Sequence, residues 1–305
     1  MSRSTVSLVR STGHYGGVKA ALDLIAPEIV QSLKGKGKIL IKPNFVSTSK
    51  QLAATHVDAV RAVLDFITNH YSGKVIVAEG PSASSLQRGL RNFDYLKLEG
   101  EYGVDFVDLN EDNSMDVEVW GSGLNKINVE VAKTVIESDY RISVTPPKTH
   151  DFTIVTLSIK NMAVGSLVGW RNKSRIHQGY KAINLNIAKI AKLVLPHLSV
   201  IDGFVGMDGN GPVNGEPVNL RIAIAGLDAL AVDATAARVM GFNPLEVGYL
   251  YYLNDWGVGE AEAEKIEVLG VPTAEVSRRF KPHRAYREQL EWKLSKEELK
   301  RLVPP

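Results

Sequence analysis

Lysines, a histidine and amides cluster where this chain should be most apolar. The stretch TPPKTHDFTIVTLSIKNMAVG, residues 145–165, sets Lys148, Thr149, His150, Asp151, Lys160 and Asn161 among Ile154, Val155, Leu157 and Ile159. A charge among apolar neighbours is costly unless it is paired or used. The two prolines give the segment a rigid, extended exit. Side chains alternate along an extended chain, so Lys148 and His150 lie on one side. A lysine beside an imidazole disfavours double protonation, which makes either a candidate base near neutral pH. His150 is also a candidate metal ligand. The competing reading is a solvated surface loop.

Other segments repeat the pattern. IKPNF (41–45) puts Lys42 at the end of an apolar run and Asn44 just past a proline. Proline cannot donate a ladder bond, so strand pairing ends there. Lys42 is then placed to meet an anion and Asn44 to orient it. VAEGPSAS (77–84) ends a strand on Glu79, a candidate base or metal ligand, followed by small residues that let backbone N–H groups approach an anion. RNKSRIHQG (171–179) is basic and reads as a mobile loop delivering His177 and Gln178. VIDGFVGMDGNGPVNGEP (200–217) holds five glycines and two prolines. It reads as an anion nest or substrate-shaping loop carrying Asp202 and Asn210. Asp228 sits where a helix N-cap is expected.

The residues assigned to chemistry are therefore Lys148, His150 and His177. Those assigned to ligand binding are Lys42, Asn44, Lys160, Asn161, Gln178, Asp202 and Asn210. Glu79, His150 and His177 are the candidate metal ligands.

Parallel strands would bring these residues together. Apolar strand patterns at 4–10, 38–44, 74–81, 104–110, 140–147, 198–204 and 220–226 alternate with helical patterns at 17–35, 55–71, 184–196 and 227–241. That order predicts an α/β fold, a largely parallel sheet with helices on both faces. Residues 113–131 read as a small antiparallel insert. One α/β domain is expected over 1–282, followed by an amphipathic helical tail over 283–305. In such sheets ligands collect at the carboxyl ends of the strands, and the polar residues above all follow strands.

Composition narrows the chemistry. The chain has 305 residues and no cysteine, so it holds no cysteine-ligated iron–sulfur cluster, thiolate zinc site or cysteine nucleophile. Any bound metal would need His, carboxylate or neutral oxygen ligands. A net charge of +2 without a basic stripe argues against nucleic acid as a partner. No run approaches the roughly 18 apolar residues of a membrane span, and the N-terminus lacks the apolar core of a signal peptide. A cytoplasmic location is the expectation. GxSxG, HExxH, GxxxxGK[ST] and an early GxGxxG are all missing.

Taken together, ILIKPNFV (39–46), KVIVAEGP (74–81), VDLNED (107–112), PPKTH (146–150), TLSIKNM (156–162), HQG (177–179), INLNIA (183–188) and DGFVGMDGNGP (202–212) resemble the domain of unknown function 362 family. The resemblance covers nearly all of the chain except its tail. Many members carry ferredoxin-like cysteine clusters beside this domain, which implies a ferredoxin-type partner protein. The order of strand, Thr-His helix and Val-Ala-Glu-Gly-Pro also resembles the N-terminal half of nickel-pincer lactate racemases, an analogy of fold. The expected function is an enzyme that binds a small anionic metabolite and works by Lys/His acid–base or metal chemistry. The alternative is a non-catalytic accessory protein that binds a metal centre or an iron–sulfur partner.

Overall fold

A computed structural model of the chain describes residues 3–82 and 84–302. In chain order the strands are β1 (Ser4–Arg10), β2 (Lys38–Lys42), β3 (Lys74–Glu79), β4 (Asp105–Asp108), β5 (Ser114–Trp120), β6 (Lys126–Ala132), β7 (Tyr140–Thr145), β8 (Lys148–His150), β9 (Ile154–Thr156), β10 (Leu198–Gly203), β11 (Gly206–Asp208), β12 (Glu216–Val218), β13 (Ile222–Gly226) and β14 (Ile266–Gly270). Eight of them form the main sheet, in the order β14-β1-β13-β10-β7-β2-β3-β4. Only β13 runs against its neighbours in that sheet; the other pairs are parallel.

The apolar strands sort their side chains by alternation. Ile39 and Ile41 of β2, with Val75 and Val77 of β3, face one core. Leu40, Ile76 and Ala78 face the other. Helices His14–Leu24 and Val57–His70 cover the first face, and helices Ser158–Gly165, Tyr180–Val194 and Ala229–Val239 cover the second. The mixed α/β class with a mostly parallel sheet is thus the one the sequence predicts. Asp228 caps the Ala229–Val239 helix by accepting the Leu230 and Ala231 N–H groups. No helix among the described residues is long and apolar enough to cross a membrane.

Two segments differ from expectation. The 17–35 periodicity predicts one helix, yet the chain breaks at Ile25 into His14–Leu24 and Ala26–Leu33, with Pro27 in the first turn of the second. The predicted mobile loop over 171–179 is largely the helix Gly169–Ile176. The insert does form an antiparallel hairpin, β5 with β6. Its inner face joins the core through Val117, Val119, Val129 and Val131. The C-terminal segment lies on the body: Trp292 and Leu294 are buried, and Gln289 Nε2 donates to His150 O at 2.6 Å.

Topology sets the crevice. From β2 the chain steps through β3 to β4 on one side, while β7, β10 and β13 extend the sheet on the other. The β2–β7 boundary is therefore a switch point, where loops diverge and leave a gap. Thr55 holds the two exits together. Its Oγ1 accepts the Asn44 N–H and donates to Val144 O, each at 2.8 Å, in a fully buried position. Thr55→Val keeps the shape and strands both partners. It is expected to cost about 1–3 kcal/mol in chemical denaturation, and an unchanged midpoint would contradict this role.

Candidate functional site

At the switch point the strand ends deliver buried charge. Lys42 closes β2, Glu79 closes β3, and their side chains form an ion pair with almost no solvent exposure. Glu79 Oε1 also accepts the Phe45 N–H at 3.0 Å. Lys42 Nζ donates to Asn161 Oδ1 at 3.1 Å, and the same oxygen accepts from Asn44 Nδ2 at 3.1 Å. Asn161 Nδ2 donates to Lys42 O and to Ser143 Oγ. Lys148, from β8, donates to Asn44 Oδ1. Asn161 rides on the Ser158–Gly165 helix, whose last residue touches Lys42 closely. A Cβ at Gly165 would collide with Lys42 Cε and Nζ.

Above this floor lies a cavity of about 590 Å³. Its polar lining includes Asn44, Glu79, Asn161, His150, Asp151, Lys160, Lys173, His177 and Gln178; Val46, Phe152, Val164, Trp170 and Val213 are among its apolar wall. Lys148 and His150 are two residues apart on β8, and both turn toward this region. Lys160 Nζ lies 3.0 Å from His150 Nε2, and His150 Nδ1 lies 3.0 Å from Asp151 Oδ1. The Phe152 N–H also faces Nδ1 at 3.0 Å. That N–H donates to Nδ1, so the neutral imidazole carries its proton on Nε2, which faces Lys160 Nζ. His177 Nδ1 lies 2.6 Å from Lys173 O and so carries its proton, which leaves Nε2 as an acceptor.

Burial dominates the electrostatics. It lowers Lys148 to about 7, helped by the charge of Lys160. It lowers Lys160 and Lys173 to about 8 each. Burial also lowers Lys42, opposed by Glu79. The same cause, reinforced by Lys160, takes His150 to about 3 and His177 to about 4, so both imidazoles are neutral at neutral pH. Burial alone would raise Asp151, but its hydrogen bond with His150 and the charges of His150 and Lys160 hold it below the usual carboxylate range. Behind the site, Asp233 accepts the Ser158 and Ile159 N–H groups at 2.9 Å, and burial pushes it up to about 8.

A family model described as a domain of unknown function (DUF362) matches residues 39–238. The chain belongs to the DUF362 family. Every residue that lines the cavity falls inside the matched range. A thylakoid-associated protein of Synechocystis sp. is 22% identical over 281 residues, covering 88% of this chain and 84% of its own. Among solved structures, the lactate racemase apoprotein of Thermoanaerobacterium thermosaccharolyticum superposes with a TM-score of 0.52 at 16% identity. That match covers 78% of this chain and spans 57% of the racemase chain, and at this identity it shows a shared fold.

The DUF362 cavity gathers most of the residues singled out by sequence. Asn44, Glu79, His150, Lys160, Asn161, His177 and Gln178 line it, with Lys42 and Lys148 bonded to its asparagines. Two candidates lie elsewhere. Asp202 bonds His14 Nδ1 at 2.6 Å in a separate, smaller pocket of about 150 Å³. Asn210 Oδ1 accepts the Arg284 N–H at 3.4 Å, although Pro212 and Val213 of its loop do reach the cavity. Gly211 allows that loop to lie on β8, since a Cβ there would collide with Thr149 O. Sequence reasoning missed Lys173, which is buried and donates to Asn110 Oδ1 and to Leu167 O. Its signal was the helical spacing of Asn172, Lys173 and Ile176, the buried residues of that helix.

The lowered lysines have a consequence for stability. A fully buried lysine at about 7 in the fold and near 10.5 when unfolded binds fewer protons folded than unfolded between those values. Its cost is largest below pH 7 and vanishes as pH rises past the unfolded value. Lys148→Met is therefore expected to stabilise the ligand-free protein at pH 6, on the order of 1–3 kcal/mol, with a much smaller gain at pH 10. A gain that ignores pH, or a loss at pH 6, would argue against a charge-burial cost at this position.

Proposed function

We propose that this DUF362 chain is an enzyme that binds a small anionic metabolite, a carboxylate or phosphate, in the switch-point cavity and acts on it by acid–base chemistry. One observation carries the reading. Four buried lysines, Lys42, Lys148, Lys160 and Lys173, stand around two carboxylates, Glu79 and the half-exposed Asp151. When all are ionised, two positive charges are left over in a largely desolvated space. Buried charge of that kind is tolerated when a counter-charge arrives, and an anionic ligand supplies one.

The same arrangement fits a bare cation poorly. Glu79 is engaged by Lys42 and Phe45, and the two imidazoles, with ring centroids 6.2 Å apart, both feel the charge of Lys160, which lies 3.0 Å from His150 Nε2. No group of three or more His, Asp or Glu side chains among the described residues could hold a metal ion. A metal would fit better if it entered as part of an anionic group.

Within the reading each side chain has a task. Asn44 and Asn161, fixed by the lysines, orient the ligand. Lys160 and Lys173 stabilise its negative charge in a low-dielectric cavity. His177 Nε2 takes or returns a proton. An anion beside His150 and His177 raises their low pKa values toward neutrality, so the ligand itself tunes its acid and base. The structural neighbour is named for a small hydroxycarboxylate, the same chemical class.

An anion must also raise the lysines from about 7–8. Binding at pH 8 is therefore coupled to proton uptake. Calorimetry of lactate and inorganic phosphate in buffers of different ionisation heat is expected to show uptake, and proton release on binding would contradict the reading. Lys173→Ala is expected to weaken binding about 10- to 100-fold. Wild-type affinity in that variant would remove Lys173 from the site.

A further inference from the structure

The lysines of the cavity are not equivalent. Lys42 is tied to Glu79, Lys148 to Asn44, and Lys173 to Asn110 and a backbone carbonyl. Lys160 lines the cavity and, among the described residues, hydrogen-bonds only to His150 Nε2, with no carboxylate within ion-pair distance. It is 5% exposed, and it occupies the third position of the Ser158–Gly165 helix. Desolvation and the positive end of a helix disfavour its charge, opposed by Asp151 on the far side of His150. These are the conditions that turn a lysine into a nucleophile toward carbonyl carbon. Its partner also suits that task. With Nδ1 accepting the Phe152 N–H, the His150 proton sits on Nε2 and points at Lys160 Nζ, a contact that favours the free amine over the ammonium.

We propose that Lys160 captures the carbonyl group of a small oxo acid as a Schiff base, with the acid's carboxylate answering the surplus positive charge of the cavity. This inference rests on the anion-binding reading and narrows its substrate class to carbonyl-bearing carboxylates. In the step, the Lys160 Nζ lone pair forms the C–N bond, the carbonyl π pair moves to oxygen, and that oxygen takes up a proton. The carbinolamine hydroxyl takes a second proton and leaves as water while the nitrogen pair closes the C=N bond; the two protons are the one shed by the starting ammonium and one from the attacking nitrogen. In sum, one ammonium and one carbonyl give one iminium and one water, with no change of oxidation state. His150 positions the amine and is not itself consumed. The pKa of Lys160, lowered to about 8 by burial, keeps a useful fraction of free amine at neutral pH.

The test is reductive trapping on the intact chain. Protein is incubated with pyruvate, or in parallel with 2-oxoglutarate or glyoxylate, and cyanoborohydride, which reduces the iminium to a stable secondary amine. Intact mass and peptide mapping then locate the adduct. Lys160 is expected to be modified at least about 10-fold faster than surface lysines such as Lys19 or Lys97, because its neutral fraction near pH 7.5 is far larger. Lys160→Arg keeps the charge and should abolish the adduct; pyruvate binding by calorimetry is read on the unsubstituted chain, because Lys160 also faces the anion. Calorimetric binding with no Lys160 adduct for any of the three acids overturns the Schiff base and leaves anion binding standing. No calorimetric binding of any of the three overturns both.

Discussion

The ion pair between Lys42 and Glu79 is the interaction on which the site depends. Both residues end neighbouring parallel strands, and both are shut away from water. Removing either partner would leave the other as an uncompensated buried charge, among the most costly defects a fold can carry. The pair also holds what surrounds it. Glu79 fixes the chain leaving β2 through the Phe45 N–H, and Lys42 fixes Asn161, which fixes Asn44. Even the fit of the Ser158–Gly165 helix follows from the lysine, since only a residue without a side chain leaves room for it at Gly165.

Beyond that pair the site is organised by imbalance. Lys148, Lys160 and Lys173 are buried without a buried carboxylate of their own. A structure selected for stability alone would not place three further ammonium groups there. The cost is reduced by hydrogen bonds to neutral amides, carbonyls and an imidazole, and by partial loss of the protons themselves. A backbone detail points the same way. Ile154, a β-branched residue that opens β9 and pairs with His150, has φ of 64°, a conformation that costs about 1–2 kcal/mol. It lies between His150 and Lys160 in the chain, on the segment that must bring the two together.

Much of this was legible in the sequence, for a physical reason. A charged side chain at the end of a β-branched run is out of place unless it is used, so Lys42, Lys148, Lys160 and Asn161 stood out. The strand–helix alternation placed them at one edge of a parallel sheet. Lys173 did not stand out, because its neighbours are polar and its helix is short. It is buried by the cavity it helps to form, which local pattern does not encode. Asp202 shows the converse: it ends a buried strand like the others, but β10 lies beyond β7 on the far side of the switch point and delivers it to His14. The Lys42–Glu79 pairing spans 37 positions and follows from strand order, which the alternation alone does not give.

The central claim is that the cavity holds surplus buried positive charge awaiting an anion. The most direct measurement is an NMR pH titration of lysine Cε resonances in the ligand-free protein, assigned with single Lys→Arg variants and repeated with inorganic phosphate. The account predicts that Lys148, Lys160 and Lys173 titrate near 7–8 and move upward when phosphate is present. If every lysine titrates near the ordinary value of about 10.4, with or without phosphate, the buried charges are already neutralised within the fold and the claim fails.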